Sequence, residues 1–95
     1  MSALQKLSDT STNAITLGSA PHGFRGVVET IQTKEVADGL PEGELESRLL
    51  ELGFVEGAHV EILHQGAFGR DPIAVRVNRN TIALRRNEAM AILVV

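Results

Sequence analysis

Residues 71–85 have the sequence DPIAVRVNRNTIALR, and this stretch sets the fold class. Its centre, Asn78-Arg79-Asn80, is polar, and asparagine tolerates a positive φ, which predicts a tight hairpin turn. On either side of the centre, apolar side chains occupy every second position, at Ile73, Val75 and Val77 and then at Ile82 and Leu84. This alternation has the period of a strand with one buried face. The stretch therefore predicts two antiparallel strands.

Further strand-like segments lie on both sides of this hairpin. Residues 24–33 and 59–64 each place apolar residues among polar ones, and residues 91–95 are predicted to form the last strand. We expect a glycine-containing loop over residues 65–71 and a turn or single helical turn over residues 86–89. This pattern predicts a mainly β fold, a small barrel of about five antiparallel strands with one short α-helix inserted after the first long strand. Closure of the barrel would remove exposed sheet edges.

The helix is predicted in the segment LPEGELESRLLELG, residues 40–53. Acidic residues crowd its N-terminal half, where the helix macrodipole favours negative charge. An apolar stripe with a 3.6-residue period comprises Leu45, Leu49 and Leu52. Gly53 is predicted to be the left-handed C-terminal cap, and Phe54 and Leu49 would then make the contact that accompanies a Schellman ending.

Length and composition favour one small soluble domain. The chain has 95 residues, of which 43% are hydrophobic, and it contains no cysteine. This excludes disulfides, thiolate metal sites and a cysteine nucleophile. No apolar run approaches the ~20 residues that cross a bilayer, and residues 1–13 lack the features of a signal peptide. We expect a mobile N-terminal tail over residues 1–13, a barrel domain over residues 14–95, and a cytoplasmic location without membrane insertion.

Charge is unevenly distributed along the chain. The net charge is −3, and the basic residues are concentrated after residue 69. Residues 70–95 contain five arginines and only two acidic residues. Such asymmetry can steer a partner electrostatically. Within the predicted helix, Glu44 and Arg48 are expected to form an i, i+4 ion pair worth a few tenths of a kcal/mol.

The sequence favours neither a metal site nor an acid–base pair. The metal-ligand candidates are His22, His59 and His64, but no H-x-x-x-H or H-x-x-E spacing links them, so surface or half-buried histidines are the favoured interpretation. Carboxylates of the predicted helix that fall near one another are Glu42 with Glu46 and Glu44 with Glu51. Such charges normally form a solvated helix face, so we predict no metal, no cofactor and no enzyme activity.

Other ligand classes are also disfavoured. The glycines of residues 65–71 lack the phosphate-loop pattern and precede a strand, whereas a phosphate loop opens a helix. An acidic net charge and only three phenylalanines, with no tyrosine or tryptophan, argue against nucleic acid and against a groove for proline-rich peptides. Protein binding remains the leading function.

Three segments together resemble the FeoA (ferrous iron transport protein A) family. Residues 48–57, RLLELGFVEG, are similar to the family's R-x-L-x-x-L-G segment at the end of its helix. Residues 71–77, DPIAVRV, resemble its D-P-I-x-V-x-V strand, and residues 81–89, TIALRRNEA, resemble its hairpin return. The segments follow one another at family spacing, and the resemblance covers residues 14–95.

The resemblance implies an SH3-like barrel that occurs as a free small protein or as a terminal domain of iron-dependent repressors. It implies a cytoplasmic accessory protein of ferrous iron uptake that binds and regulates FeoB, a membrane transporter with a GTPase domain, and is peripheral to the inner membrane through that partner. The resemblance leaves open whether the protein also forms a homo-oligomer. The alternative is a regulatory or nucleic-acid-associated domain akin to those of the repressors.

The residues predicted to bind the partner lie in and after the glycine-containing loop. Phe68 and Arg70 combine an apolar and a basic side chain, a pairing suited to an interface anchor, although Phe68 could equally cap the barrel end. Arg85 and Arg86 extend the same basic region.

Overall fold

The computed structural model describes residues 14–33 and 42–95, and within α1 and β3 it leaves the side chains of Glu42 and Phe68 undescribed. The predicted tail, residues 1–13, lies outside this part of the chain. In chain order, the elements are β1 (Ile15–Thr16), a 3₁₀ turn (Leu17–Ser19), β2 (Arg25–Ile31), α1 (Glu42–Glu51), β3 (His59–Phe68), β4 (Asp71–Val77), β5 (Asn80–Leu84), α2 (Arg86–Ala89) and β6 (Ile92–Val94).

The described strands form an antiparallel sheet in the order β1-β6-β2-β3-β4-β5. The mainly β fold, with one helix inserted after the first long strand, confirms the predicted class. The additional strand is β1, which has two residues and pairs with the end of β6. Among the described strands, β1 and β5 stand at the two ends of this order, so each keeps one outer edge.

The predicted hairpin is present in the expected register. Five residues of β4 lie opposite five of β5, from Ile73 with Leu84 to Val77 with Asn80. Asn78 and Arg79 form the two-residue turn, and Asn78 has a φ of 54°. The Asn78 side-chain carbonyl also accepts the backbone N–H of His59 at 3.2 Å, which ties the turn to β3.

The predicted loop over residues 65–71 is wrong, because β3 continues through Phe68 and only Gly69 and Arg70 form the turn. Register shifts lie between Ile62 and His64 and again before Phe68. Each bulge interrupts the period-two pattern from which a strand is recognised in sequence. Gly66 belongs to this bulged stretch, and a Cβ there would collide with the backbone of Asp71.

The helix ends as predicted. The N–H of Phe54 donates to the carbonyl of Leu49 at 3.1 Å, and the N–H of Gly53 donates to that of Leu50 at 3.0 Å. These two bonds define a Schellman motif, and Gly53 has the required positive φ of 110°. Leu49 and Phe54 are fully buried, so the helix end is also a core contact.

The core lies between the helix stripe and the inner face of the sheet. Leu45 and Leu49 are buried, and Leu52 packs against the same cluster from a half-buried position. The largest other buried side chains are Leu17, Val28, Phe54, Ile62, Ile73, Val75, Val77, Leu84, Ile92 and Val94. The apolar residues predicted from the alternation of β4 all belong to this core.

The predicted ion pair between Glu44 and Arg48 is wrong. Arg48 instead reaches across to α2, where its Nη1 lies 2.6 Å from Oε2 of Glu88. The other carboxylate oxygen of Glu88 accepts the backbone N–H of Arg85 at 3.3 Å, at the start of α2. Glu88 therefore caps the short helix and joins it to α1.

Candidate functional site

Arg86 was expected at a binding surface, but the structure buries its side chain to 9% exposure. Its Nη1 donates to the carbonyls of Gly18 at 3.0 Å and Ala20 at 2.8 Å. Its Nε donates to the carbonyl of Arg70 at 2.9 Å, and its Nη2 donates to Oε1 of Gln65 at 2.9 Å. The guanidinium thus joins the segment after β1, the β3–β4 turn and β3. It is directed into the fold and is not presented to a partner.

Burial of this charge is tolerated because each nitrogen of the guanidinium donates at least one hydrogen bond. A buried ion without partners is very costly, whereas several hydrogen bonds to carbonyl dipoles replace much of its hydration. Asp71 lies close by, and its Oδ1 accepts the backbone N–H of Arg86 at 2.7 Å. The site therefore depends on tertiary contacts that bring together residues from four separate parts of the chain.

The remaining predicted residues lie near this buried centre but differ in accessibility. Arg70 is exposed and stands at the β3–β4 turn with a φ of 63°. Arg85 is exposed and immediately follows β5. Phe68 ends β3, and its side chain is outside the described part of the structure. The prediction that these three residues contact a partner stays a prediction.

Sequence reasoning did not select Arg79, which the hairpin turn places on the surface. We call Arg70, Arg79 and Arg85 the basic rim. In the described residues, the ion pairs are Arg48 with Glu88 and Arg76 with Glu61, so no carboxylate neutralises the basic rim at ion-pair distance. The signal available in the sequence was the position of Arg79 in a two-residue turn, where a side chain is necessarily exposed.

An open groove of about 610 Å³ lies beside β5. Its lining comes from the start of β4, the end of β5 with Arg85, and one residue each of α1 and α2, which the Arg48–Glu88 ion pair connects. The residues that line it are Arg48, Asp71, Pro72, Ala83, Leu84, Arg85 and Glu88. The groove therefore lies beside the β4–β5 hairpin and includes Arg85, one member of the basic rim.

A second groove, of about 440 Å³, crosses the outer face of β2, β3 and β4. Its charged residues are cross-strand neighbours, because Glu61 is opposite Arg25 on one side and Arg76 on the other. Arg76 approaches Glu61 to 3.7 Å. Opposite charges that face each other across strands stabilise a sheet, which accounts for this row without a ligand.

The histidines form a pair that the sequence did not predict. The rings of His22 and His64 are stacked with centroids 6.5 Å apart and an interplanar angle of 26°. A ring nitrogen of His22, Nε2, lies 2.8 Å from the carbonyl oxygen of Leu63. His59 is on the other side of the β3 bulge. Within residues 14–33 and 42–95, no three metal-ligating side chains converge.

The carboxylates considered for acid–base chemistry belong to α1. Glu44, Glu46 and Glu51 are exposed, and the side chain of Glu42 lies outside the described part of the chain. No helix among the described residues has the length and apolar character needed to span a bilayer.

Fold and surface together define a class, a small mainly β protein with an antiparallel sheet, a buried arginine centre and an exposed basic rim. A family model described as the FeoA domain matches residues 15–95, which include every described strand and helix. The chain belongs to the FeoA family, which is associated with ferrous iron transport.

Solved structures agree with this assignment. The FeoA of Stenotrophomonas maltophilia, an SH3 domain protein solved with zinc, is 34% identical with a TM-score of 0.67, covering 85% of this chain and 89% of that one. A FeoA-like protein from Clostridium acetobutylicum is 28% identical with a TM-score of 0.69, covering 86% and 85%. The FeoA of Chlorobium tepidum is 32% identical with a TM-score of 0.65, covering 84% and 68%.

Repressors share the fold. A manganese-dependent transcriptional repressor is 24% identical with a TM-score of 0.66, and this chain matches 41% of its length. No protein of curated function is significantly similar to the chain.

Proposed function

We propose that this protein is a small cytoplasmic accessory protein of ferrous iron uptake. It binds the cytoplasmic part of a FeoB-type membrane transporter with a GTPase domain and regulates it by protein–protein contact, without catalysing a reaction itself. The observation that carries the proposal is the family match over residues 15–95. The relative from S. maltophilia, which is 34% identical, is described as a candidate activating factor of ferrous iron transport.

The surface supports a contact function. The basic rim is exposed and unpaired among the described residues, and it lies on turns and strand ends that a rigid sheet holds in place. Residues displayed in this way on a rigid scaffold are typical of binding surfaces. Unpaired charges at the border of an interface accelerate association with a partner of opposite charge.

The test is calorimetric titration of the full chain into the purified cytoplasmic domain of the transporter. We expect saturable binding in the absence of nucleotide, with GDP or with a non-hydrolysable GTP analogue. The GTPase rate of that domain is measured in parallel. Absence of both binding and any rate change in all three nucleotide states would refute the proposal.

The repressor structure supports a second candidate function at the level of the fold alone, namely a regulatory or nucleic-acid-associated domain. A gel shift with duplex DNA and single-stranded RNA at low and moderate salt separates the two functions. Binding through phosphates weakens steeply as salt rises. Under the leading proposal, we expect no retained complex at moderate salt.

A further inference from the structure

The outer edge of β5 is unpaired among the described strands, because β5 ends the strand order. A two-residue hairpin is closed by a hydrogen-bonded pair, here Val77 with Asn80, and hydrogen-bonded and non-hydrogen-bonded pairs then alternate. Thr81 and Ala83 belong to non-hydrogen-bonded pairs, opposite Arg76 and Ala74. Their N–H and C=O groups therefore point away from β4.

The side chains along this edge leave room for another strand. Thr81 and Ala83 are small and exposed, whereas Leu84 is directed into the core. Ala83 also lines the groove of about 610 Å³, together with Asp71 and Pro72 of β4. Natural proteins usually protect a free edge with charges or proline, because it can pair with any extended chain.

The charges around the edge favour an acidic strand. Arg79 lies at one end of β5 and Arg85 at the other. Arg70 is close to this second end, because its carbonyl accepts a hydrogen bond from Arg86, the residue after Arg85. Among the described residues, Arg48, Asp71 and Glu88 also line the groove beside this edge. Arg48 pairs with Glu88, and Asp71 accepts the backbone N–H of Arg86. Within the described part of the chain, the basic rim therefore carries positive charge that no ion pair neutralises.

A second copy of this chain is a poor occupant in the register that pairs both outward-facing residues, Thr81 and Ala83. If two copies of β5 paired antiparallel so that Thr81 of one met Ala83 of the other, Arg79 of each would lie opposite Arg85 of its partner. Like charges directly opposite each other destabilise a strand pair. The same two arginines would attract carboxylates on a strand of a different protein.

We infer that the outer edge of β5 binds an extended, acidic segment of a partner protein and adds it to the sheet as a further strand. The backbone groups of Thr81 and Ala83 form the ladder, and the basic rim selects carboxylate side chains at the two ends. Main-chain hydrogen bonds supply affinity and side chains supply specificity in this mode of recognition. The inference rests on the proposed function in taking a protein as the partner.

The first experiment uses synthetic peptides with the full-length protein. The probe is an eight-residue peptide of alternating glutamate and valine, and a lysine–valine peptide is its charge control. We expect the glutamate peptide to bind at least tenfold more tightly and to slow amide hydrogen exchange at Thr81 and Ala83. N-methylation of one of the two sets, the valines or the glutamates, should weaken binding tenfold, because only one set presents its N–H groups to β5. Equal binding of the two charge types, or binding insensitive to both methylations, would overturn the inference.

The second experiment changes the protein. Arg85→Glu should lower the affinity for the glutamate peptide at least tenfold. Arg25→Glu, an equal change of charge on β2, should change that affinity less than twofold. Thr81→Pro removes an N–H that points away from β4, so it should abolish peptide binding and keep the native circular dichroism. Should Thr81→Pro not fold, the methylated peptides test the same backbone contact. Equal losses for Arg85→Glu and Arg25→Glu would indicate non-specific attraction and refute the inference.

The two proposals fail in different ways. If the wild-type chain binds the transporter's cytoplasmic domain and Arg85→Glu and Thr81→Pro bind it equally well, the inference about β5 is wrong and the proposed function stands. If the wild-type chain binds the acidic peptide but not that domain, the β5 edge is a binding site for a different partner and the proposed function is wrong.

Discussion

Replacement of Arg86 with methionine should destabilise the domain by about 2–4 kcal/mol. The change keeps most of the aliphatic volume but removes the donors to Gly18, Ala20, Arg70 and Gln65. The two bonds to Gly18 and Ala20 are buried, and each carbonyl left without a donor there costs about 1–3 kcal/mol. Water can replace the two partly buried bonds. Release of the buried charge offsets part of the loss, since methionine carries no desolvation penalty.

Urea unfolding monitored by circular dichroism measures this change. For a domain of this size, about 2–4 kcal/mol corresponds to a fall in Tm of roughly 10–25 °C. The control is Arg85→Met, the exposed neighbour, which should lie within about 0.5 kcal/mol of the wild type. A variant at position 86 that loses less than about 1 kcal/mol would show that the buried hydrogen bonds contribute little, and the description of Arg86 as a structural centre would then be wrong.

Three further predictions concern stability. Gly53→Val should lower the free energy of unfolding by about 1 kcal/mol or more, because Gly53 has a φ of 110° that a β-branched residue adopts only with strain, and an unchanged Tm would refute this. Gly43→Ala in α1 should raise the free energy of unfolding by about 0.5–1 kcal/mol, since a Cβ at this position meets no atom within 4 Å. A lower Tm in differential scanning calorimetry would contradict this prediction. A double-mutant cycle of Arg48→Met and Glu88→Gln should give a coupling energy of about 0.5–1 kcal/mol for this half-exposed ion pair, and the coupling energy should fall in 1 M NaCl. A coupling energy of zero at low salt would show that the ion pair does not contribute to stability.

Local pattern was sufficient where structure depends on neighbours in the chain. The β4–β5 hairpin, the helix and its Gly53 ending follow from side-chain period and backbone preference over a few residues, and each is present as predicted. The family resemblance rested on the same segments. The loop over residues 65–71 could not be predicted correctly, because bulges remove the alternation on which a strand prediction depends.

The candidate site was predicted less well than the fold. Arg70, Arg85 and Arg86 were grouped because they belong to the basic region after residue 69, and sequence carries no information on which of them is buried. The i, i+4 spacing of Glu44 and Arg48 indicated an ion pair within α1, but Arg48 forms its ion pair with Glu88 of α2. The His22–His64 pair was missed for the same reason, since its members are far apart in the chain.

The amino-acid sequence by itself determined the strand and helix segments, the cap at Gly53 and the family, because these depend on side-chain order along the chain. Only the tertiary structure decided that Arg86 is enclosed by carbonyl groups while Arg70, Arg79 and Arg85 stay in solvent. The physical reason is that the environment of a charged side chain depends on the backbone groups that distant segments bring within hydrogen-bonding distance, and no local pattern encodes those distances.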